Sequence, residues 1–223
     1  MLISHLHRFI YMKTFKTGGT SVEIYFERYC TDPARTFGER HEREWETSKW
    51  GIIAARGDRF VPGRTWYNHM PAGRVLALIG PELWSSYYKF CVVRNPYDKL
   101  VSSFWHGLPN PQRLQLQSAD FDEVRKQFRQ WVTTADHPMD RNIFTISGLP
   151  VMNRYVRYED LHGGLEAVCR DLALPWDPSR LGYYKSGARL RNEPYAEYYD
   201  KSSAELALSL YHWEFDYFQY SLS

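Results

Sequence analysis

Cysteine is scarce in this sequence: three residues in 223, Cys30, Cys91 and Cys169, far apart and without a CxxC pair. An odd, sparse set excludes a disulfide scaffold and shows no metal-ligand spacing, so no metal is expected. Cys91 falls in an apolar run and Cys169 on the apolar face of a helical pattern, where both read as small core side chains. No apolar run reaches about 18 residues, which excludes a membrane-spanning helix. An excess of one charge is missing too. Lys and Arg total 28 against 26 Asp and Glu, a net +2, too little for a general nucleic-acid binder, and no nucleic acid is expected as a partner. A local basic face for a polyanionic sugar stays open. The chain enters an apolar run almost at once and leaves no room for a signal peptide. A soluble protein of a reducing, cytoplasmic compartment is the expectation. There is no internal repeat and no low-complexity linker.

Aromatic residues, by contrast, are plentiful, at 17% of the chain. Most suit a core, and some could line a pocket. The length fits one domain over residues 1–223. Apolar runs at Phe9–Met12 and Lys89–Val93, and the stretch 151–158, read as buried strands. They alternate with helical patterns. Val22, Tyr25, Phe26 and Tyr29 share one face, as do Phe121, Val124, Phe128, Trp131 and Val132, and Leu165, Val168, Cys169 and Leu172. Pro71 is placed to start a helix through Ile79 that Gly80 closes, and a short helix follows over Pro81–Tyr88. Capping boxes are read at Thr20 with Glu23, Asp120 with Glu123 and Ser202 with Glu205. Residues 107–118 read as a polar loop. Residues 31–68 read as an insertion without clear periodicity, of the kind that shapes an acceptor site or makes a surface excursion. The fold class is α/β, with a central parallel sheet flanked by helices.

The strand at Phe9–Met12 runs into Lys16-Thr17-Gly18-Gly19-Thr20-Ser21 and then a helix. Two glycines let the backbone approach a ligand, and a helix start aims free N–H groups at an anion. The order is not that of the nucleoside triphosphate loop, whose lysine follows its glycines; here Lys16 precedes them. A plain strand–turn–helix junction with a solvated Lys16 is the competing reading.

A second anion motif begins where the next strand ends. Arg94 stands at the strand tip, where open α/β sheets bind ligands. Asn95 is placed to cap a helix and Pro96 to take its first position. Ser102 lies eight residues beyond Arg94, a little over two helical turns, so an arginine fork and a hydroxyl can serve one phosphate. Alternatively Arg94 pairs with Asp98, and Ser102 is ordinary helix surface.

These two stretches resemble the 5′-phosphosulfate loop and the 3′-phosphate motif of sulfotransferases that use 3′-phosphoadenosine 5′-phosphosulfate (PAPS). Arg157-Tyr158-Glu159-Asp160-Leu161 resembles a late strand–helix element of the same superfamily. The three occur in family order, between about residues 8 and 220. Lys-Thr-Gly with Arg-Asn-Pro resembles the carbohydrate group, including heparan sulfate 2-O-sulfotransferases. Members of that group usually carry a membrane anchor, and this sequence shows none. The resemblance implies a P-loop-like, PAPS-dependent enzyme that sulfates a hydroxyl, most simply of a carbohydrate, by in-line transfer. Backbone groups of Thr17, Gly18, Gly19, Thr20 and Ser21 would hold the 5′-phosphate, and Arg94 and Ser102 the 3′-phosphate. Lys16 would stabilise the leaving phosphate.

A general base is needed for the acceptor, and histidine suits neutral pH. Of eight histidines, His69 lies between the two anion motifs and aligns in order with the catalytic histidine of the 2-O-sulfotransferase group. His106 is the second choice and His41 the third; a capping or core role is the alternative for His69. Glu23 is set aside as base because a capping role accounts for it. Ser186 and Arg189 lie where members often complete nucleotide binding. Two further functions stay open: a nucleotide-dependent phosphotransferase, against which no magnesium-binding Asp pair is evident, and a non-catalytic nucleotide- or glycan-binding protein.

Overall fold

The computed structural model describes residues 1–35, 43–57, 61, 63–182, 184 and 186–222. In chain order the elements are β1 (Leu2–Ser4), β2 (Phe9–Met12), α1 (Gly19–Phe26), β3 (Glu46–Thr47), β4 (Gly51–Ile53), α2 (Ala72–Ile79), α3 (Pro81–Ser86) and β5 (Tyr88–Val93). They continue with α4 (Pro96–Gly107), α5 (Asn110–Ser118), α6 (Phe121–Thr134), α7 (Arg141–Phe144), β6 (Thr145–Ile146) and β7 (Leu149–Pro150). The last four are β8 (Arg154–Arg157), α8 (Leu161–Asp171), α9 (Lys201–Leu210) and α10 (His212–Phe218). Contacts divide the chain into two compact units, Met1–Val93 with Asp140–Tyr184, and Arg94–Met139 with Lys185–Ser223.

The first unit holds a six-stranded sheet in the order β3-β4-β1-β2-β5-β8. The strands read from the sequence, β2, β5 and β8, are its parallel part, with Met12 opposite Cys91 and Val93 opposite Arg157. The other strands extend it antiparallel: β1 pairs with β2 and β4, and β3 with β4. Two of these extra strands come from the stretch read as an aperiodic insertion. Gly51 is obligatory there, because a Cβ would lie 2.2 Å from the Ile3 carbonyl oxygen. The third predicted strand is shorter than expected, four residues rather than 151–158.

One face of this sheet is the first core. Phe9, Tyr11, Phe90, Val92 and Val156 meet Val22, Tyr25 and Phe26 of α1 and Leu165, Val168 and Cys169 of α8. Burying each large apolar side chain contributes about 1.5–3 kcal/mol. Both α1 and α8 therefore place the residues that the helical period selects. Gly164 lets α8 close on β8, since its Cβ would stand 2.5 Å from Val156 Cγ1. All three cysteines are buried and free.

The second unit is helical. Its core joins Leu100, Phe104 and Trp105 of α4 to Val124, Phe128 and Val132 of α6 and Ala207, Tyr211 and Phe215 beyond. As read, Asn95 caps α4, accepting from the Tyr97 N–H at 3.0 Å, with Pro96 in the first turn. Three expectations are corrected here. Residues 110–118, read as loop, form α5, a polar helix with Leu116 buried. Asp120 does cap α6, but it accepts from the Asp122 N–H, while Glu123 takes the Gln127 amide. The capping box of α9 uses Asp200 and Ser203, not Ser202 and Glu205.

Candidate active site

The turn after β2 is tied down at three points. Thr14 donates its hydroxyl hydrogen to the Val92 carbonyl. Its oxygen therefore accepts from Thr17, 2.8 Å away. Asp140, nearly fully buried, accepts the Phe15 N–H at 2.8 Å. Thr17 is wholly buried, and its hydroxyl serves the turn.

Lys16 (φ 58°) and Gly18 (φ 71°) are both left-handed. Gly18 caps α1 through its backbone alone, and no side chain caps the helix. The capping box expected from Thr20 and Glu23 is thus absent. In the first turn the Ser21 N–H bonds back to the Gly18 carbonyl at 2.9 Å, and the Gly19 and Thr20 N–H groups are of the kind that can meet an anion at a helix start. A Cβ at Gly19 would sit 2.9 Å from Lys13 Cγ and 3.2 Å from the Tyr11 hydroxyl, so the helix start lies directly on those two side chains. The Ser21 hydroxyl accepts the Tyr184 N–H at 3.1 Å and keeps its own hydrogen to donate.

Glu23 points inward. Its carboxylate meets Lys13 Nζ at 2.5 Å and Arg56 Nε at 3.1 Å, and it also contacts the Met1 amino group. Arg56 continues to Glu27 at 2.8 Å, and Glu27 to Arg43 at 2.9 Å. Burial pushes the Glu23 carboxyl up, but Lys13, the amino terminus and Arg56 override it and hold the group far below the usual carboxylate range. Glu23 is unsuited as a general base for that reason, not because it caps a helix.

His69 is brought to this same turn. Its backbone is left-handed (φ 61°), its ring stacks on Phe15 at 3.9 Å and 9°, and Nδ1 lies 3.1 Å from the Lys13 carbonyl oxygen. A carbonyl can only accept, so Nδ1 carries the hydrogen and Nε2 holds the lone pair. Burial, then the charges of Lys13 and the amino terminus, keep the ring well below the ordinary histidine value and hence neutral. A neutral imidazole with a fixed tautomer is a poised base.

In the second unit, Arg94 Nε and Nη2 lie 2.8 and 2.7 Å from one oxygen of Asp98. Arg189 Nη1 reaches the other oxygen at 3.1 Å. Arg94 thus makes the Asp98 pair that the sequence offered as the alternative to phosphate binding, and Arg189 joins it. Ser102 stands half-buried on α4, one turn beyond Asp98. His106 is exposed at the end of α4, beside a pocket lined with Arg113, Gly187 and Ala188. Neither His41 nor the Ser186 side chain is among the described residues.

Sequence reasoning missed Lys13 and Asp140, and named Asp98 only as the alternative partner of Arg94. A lysine closing an apolar strand was the only signal for the first. Among the described residues there is no cluster of three or more metal-ligating side chains, and no helix is long and apolar enough to cross a membrane.

A search of curated proteins and a search of solved structures each returned no significant match. A family model described as the sulfotransferase family matches residues 1–221. That span takes in the α/β sheet, the Lys16 turn, His69 and the Arg94 helix, and the chain belongs to the sulfotransferase family.

Proposed function

We propose that the chain transfers a sulfuryl group from PAPS to an acceptor hydroxyl, with His69 as general base and Lys16 beside the leaving phosphate. The observation that carries this reading is His69 itself. A histidine 53 positions beyond Lys16 in the chain is hydrogen-bonded to the strand end that bears the Lys16 turn, with Nε2 in its basic form. The residues fit the donor. A left-handed, glycine-containing turn and an uncapped helix start suit the 5′-phosphate, and Arg94 with Ser102 suits the 3′-phosphate. Strands β2 and β5 are parallel neighbours, and the Lys16 turn follows the carboxyl end of β2, where α/β sheets bind ligands.

Bound PAPS supplies an activated sulfuryl group. In this reading His69 Nε2 takes the proton of the acceptor hydroxyl as its oxygen attacks. Backbone N–H groups of Gly18, Gly19 and Thr20 orient the phosphate with the Ser21 hydroxyl, and the Lys16 ammonium neutralises charge that grows on the departing oxygen. Fixing tautomer and ring plane in advance removes reorganisation from the reacting step. A carbohydrate is the acceptor class favoured, on the likeness of the Lys-Thr-Gly and Arg-Asn-Pro motifs. Residues 31–68 and the α5 region are the proposed acceptor-shaping segments, and 1–223 is read as one functional sulfotransferase domain.

The test uses labelled PAPS with a panel of carbohydrate and other hydroxyl acceptors. Transfer is expected with the unaltered chain and lost in Lys16→Ala and His69→Ala. His69→Ala should still bind adenosine 3′,5′-bisphosphate. A fully active His69→Ala removes it as base. Good nucleotide binding without transfer to any acceptor favours a non-catalytic binder.

A further inference from the structure

The carboxylate of Asp98 sits between two guanidinium groups, in a place where the PAPS reading calls for a phosphate. Arg94 is 9% exposed, Asp98 14% and Arg189 23%. Asp98 engages the side-on edge of the Arg94 fork, Nε and Nη2, which fixes the guanidinium plane and turns its end away from the carboxylate. Arg189 is held on two sides, by Asp98 through Nη1 and by the Glu193 carbonyl through Nη2. Its Nε is buried without a hydrogen-bond partner. The guanidinium also lies over the Tyr198 ring, 5.4 Å from its centroid, and an acceptor placed at Nε would satisfy that donor. Two cations share one anion, and Ser102 lies one turn farther along α4.

Two physical roles for Asp98 predict opposite signs. As a mere occupant, the carboxylate competes with an incoming phosphate, and its removal should tighten binding by Coulomb's law. As an organiser, it removes the rotamer freedom of two long side chains before binding, and its removal should weaken binding. The bidentate hold on Arg94 and the second anchor on Arg189 favour the organiser.

We propose that Asp98 is a positioning residue that sets Arg94 and Arg189 for the 3′-phosphate of the nucleotide and so establishes the preference for a 3′-phosphorylated adenosine. The proposal rests on the PAPS reading and goes beyond it by assigning Asp98 and Arg189. The experiment is titration calorimetry on the full chain with adenosine 3′,5′-bisphosphate and adenosine 5′-monophosphate. The unaltered chain should bind the bisphosphate at least about 10-fold more tightly, the size of one charge-assisted hydrogen bond. Absence of that preference ends the PAPS reading, and this inference with it. Given the preference, Asp98→Asn should weaken bisphosphate about 10-fold or more and leave monophosphate unchanged. Bisphosphate binding that is equal or tighter in Asp98→Asn overturns the proposal while leaving the PAPS reading intact. Should that variant fail to fold, Arg189→Ala gives the second arm. Loss confined to the bisphosphate supports the assignment, and equal loss for both nucleotides overturns it.

Discussion

Glu23→Ala tests whether the ion network under the Lys16 turn holds the fold. The side chains of Lys13 and Glu23 are 6% and 2% exposed and meet at 2.5 Å. Removing one partner of a buried pair costs about 3–5 kcal/mol, because the other charge stays buried. Arg56 keeps Glu27 at 2.8 Å, and the Met1 amino group, also against Glu23, is lowered by burial to about 6 and so is largely neutral at pH 7; the cation that loses its Glu23 partner is Lys13. A stranded lysine can shed its proton, and starting near pKa 10.4 this costs at most ~4.6 kcal/mol at pH 7 and ~2 kcal/mol at pH 9. The expected loss is therefore about 3–4.5 kcal/mol at pH 7, a fall in Tm on the order of 10 °C for a chain of this length. It should fall to about 2 kcal/mol or less at pH 9. Urea unfolding at the two pH values measures both figures. A loss below about 1 kcal/mol, or one that does not change with pH, refutes the reasoning. Lys13→Met with Glu23→Leu should recover most of the loss, since an apolar pair needs no counter-charge.

Three further outcomes follow from the same contacts. Glu23 titrates far below its unfolded value, near 4.3, so its contribution is complete above that pH and is lost as acid carries the folded protein toward its depressed pKa; acid unfolding of Glu23→Gln should lack this component. In the proposed function His69 is the neutral base, and it is held well below 6.5, so kcat/KM should stay level as pH falls through 6.5 and drop only beneath it. Lys13→Met should move that limb upward, because the Lys13 charge is one of the forces depressing it; a wild-type limb at pH 7 or above counts against His69. Gly164→Ala drives a Cβ to 2.5 Å from Val156 Cγ1 and should cost about 1–3 kcal/mol in urea unfolding, relieved by Val156→Ala in the same chain.

What could be read in the sequence follows from element length and burial. Strands β2 and β5 are unbroken buried runs, and α1, α6 and α8 keep a 3.6-residue apolar period. Strands β1, β3 and β4 are two or three residues long, too short for alternation to register. β1 exists because β2 offers it an edge, and β4 and then β3 add to that edge in turn. Helix α5 buries only Leu116, so no stripe marks it. Thr20-x-x-Glu23 matched a local cap, but cations from 10 and 33 positions away take the carboxylate. Distant charge in a dry interior overrides a local hydrogen bond, and nothing within a short window signals it.

The Lys16 turn and Arg94 could be singled out because their motifs are contiguous in the chain, a glycine-containing turn and a fixed helical spacing. The state of His69 could not, since it depends on the Lys13 carbonyl and the Phe15 ring. The buried network explains why those features belong together. Lys13, Arg43 and Arg56 face Glu23 and Glu27, and Arg43 also reaches Glu46 at 3.7 Å. In the proposed function, the cations beneath the turn favour a phosphate at the start of α1. Lys13 also disfavours a proton on His69, which keeps the ring neutral and lowers its basicity. Attraction for the nucleotide and the lowered pKa of the histidine then share one electrostatic origin. Substitutions that reverse the sign of these cations, such as Arg56→Glu, are expected to weaken bisphosphate binding and raise the acid limb together. Movement of one without the other would show that the two are separately controlled.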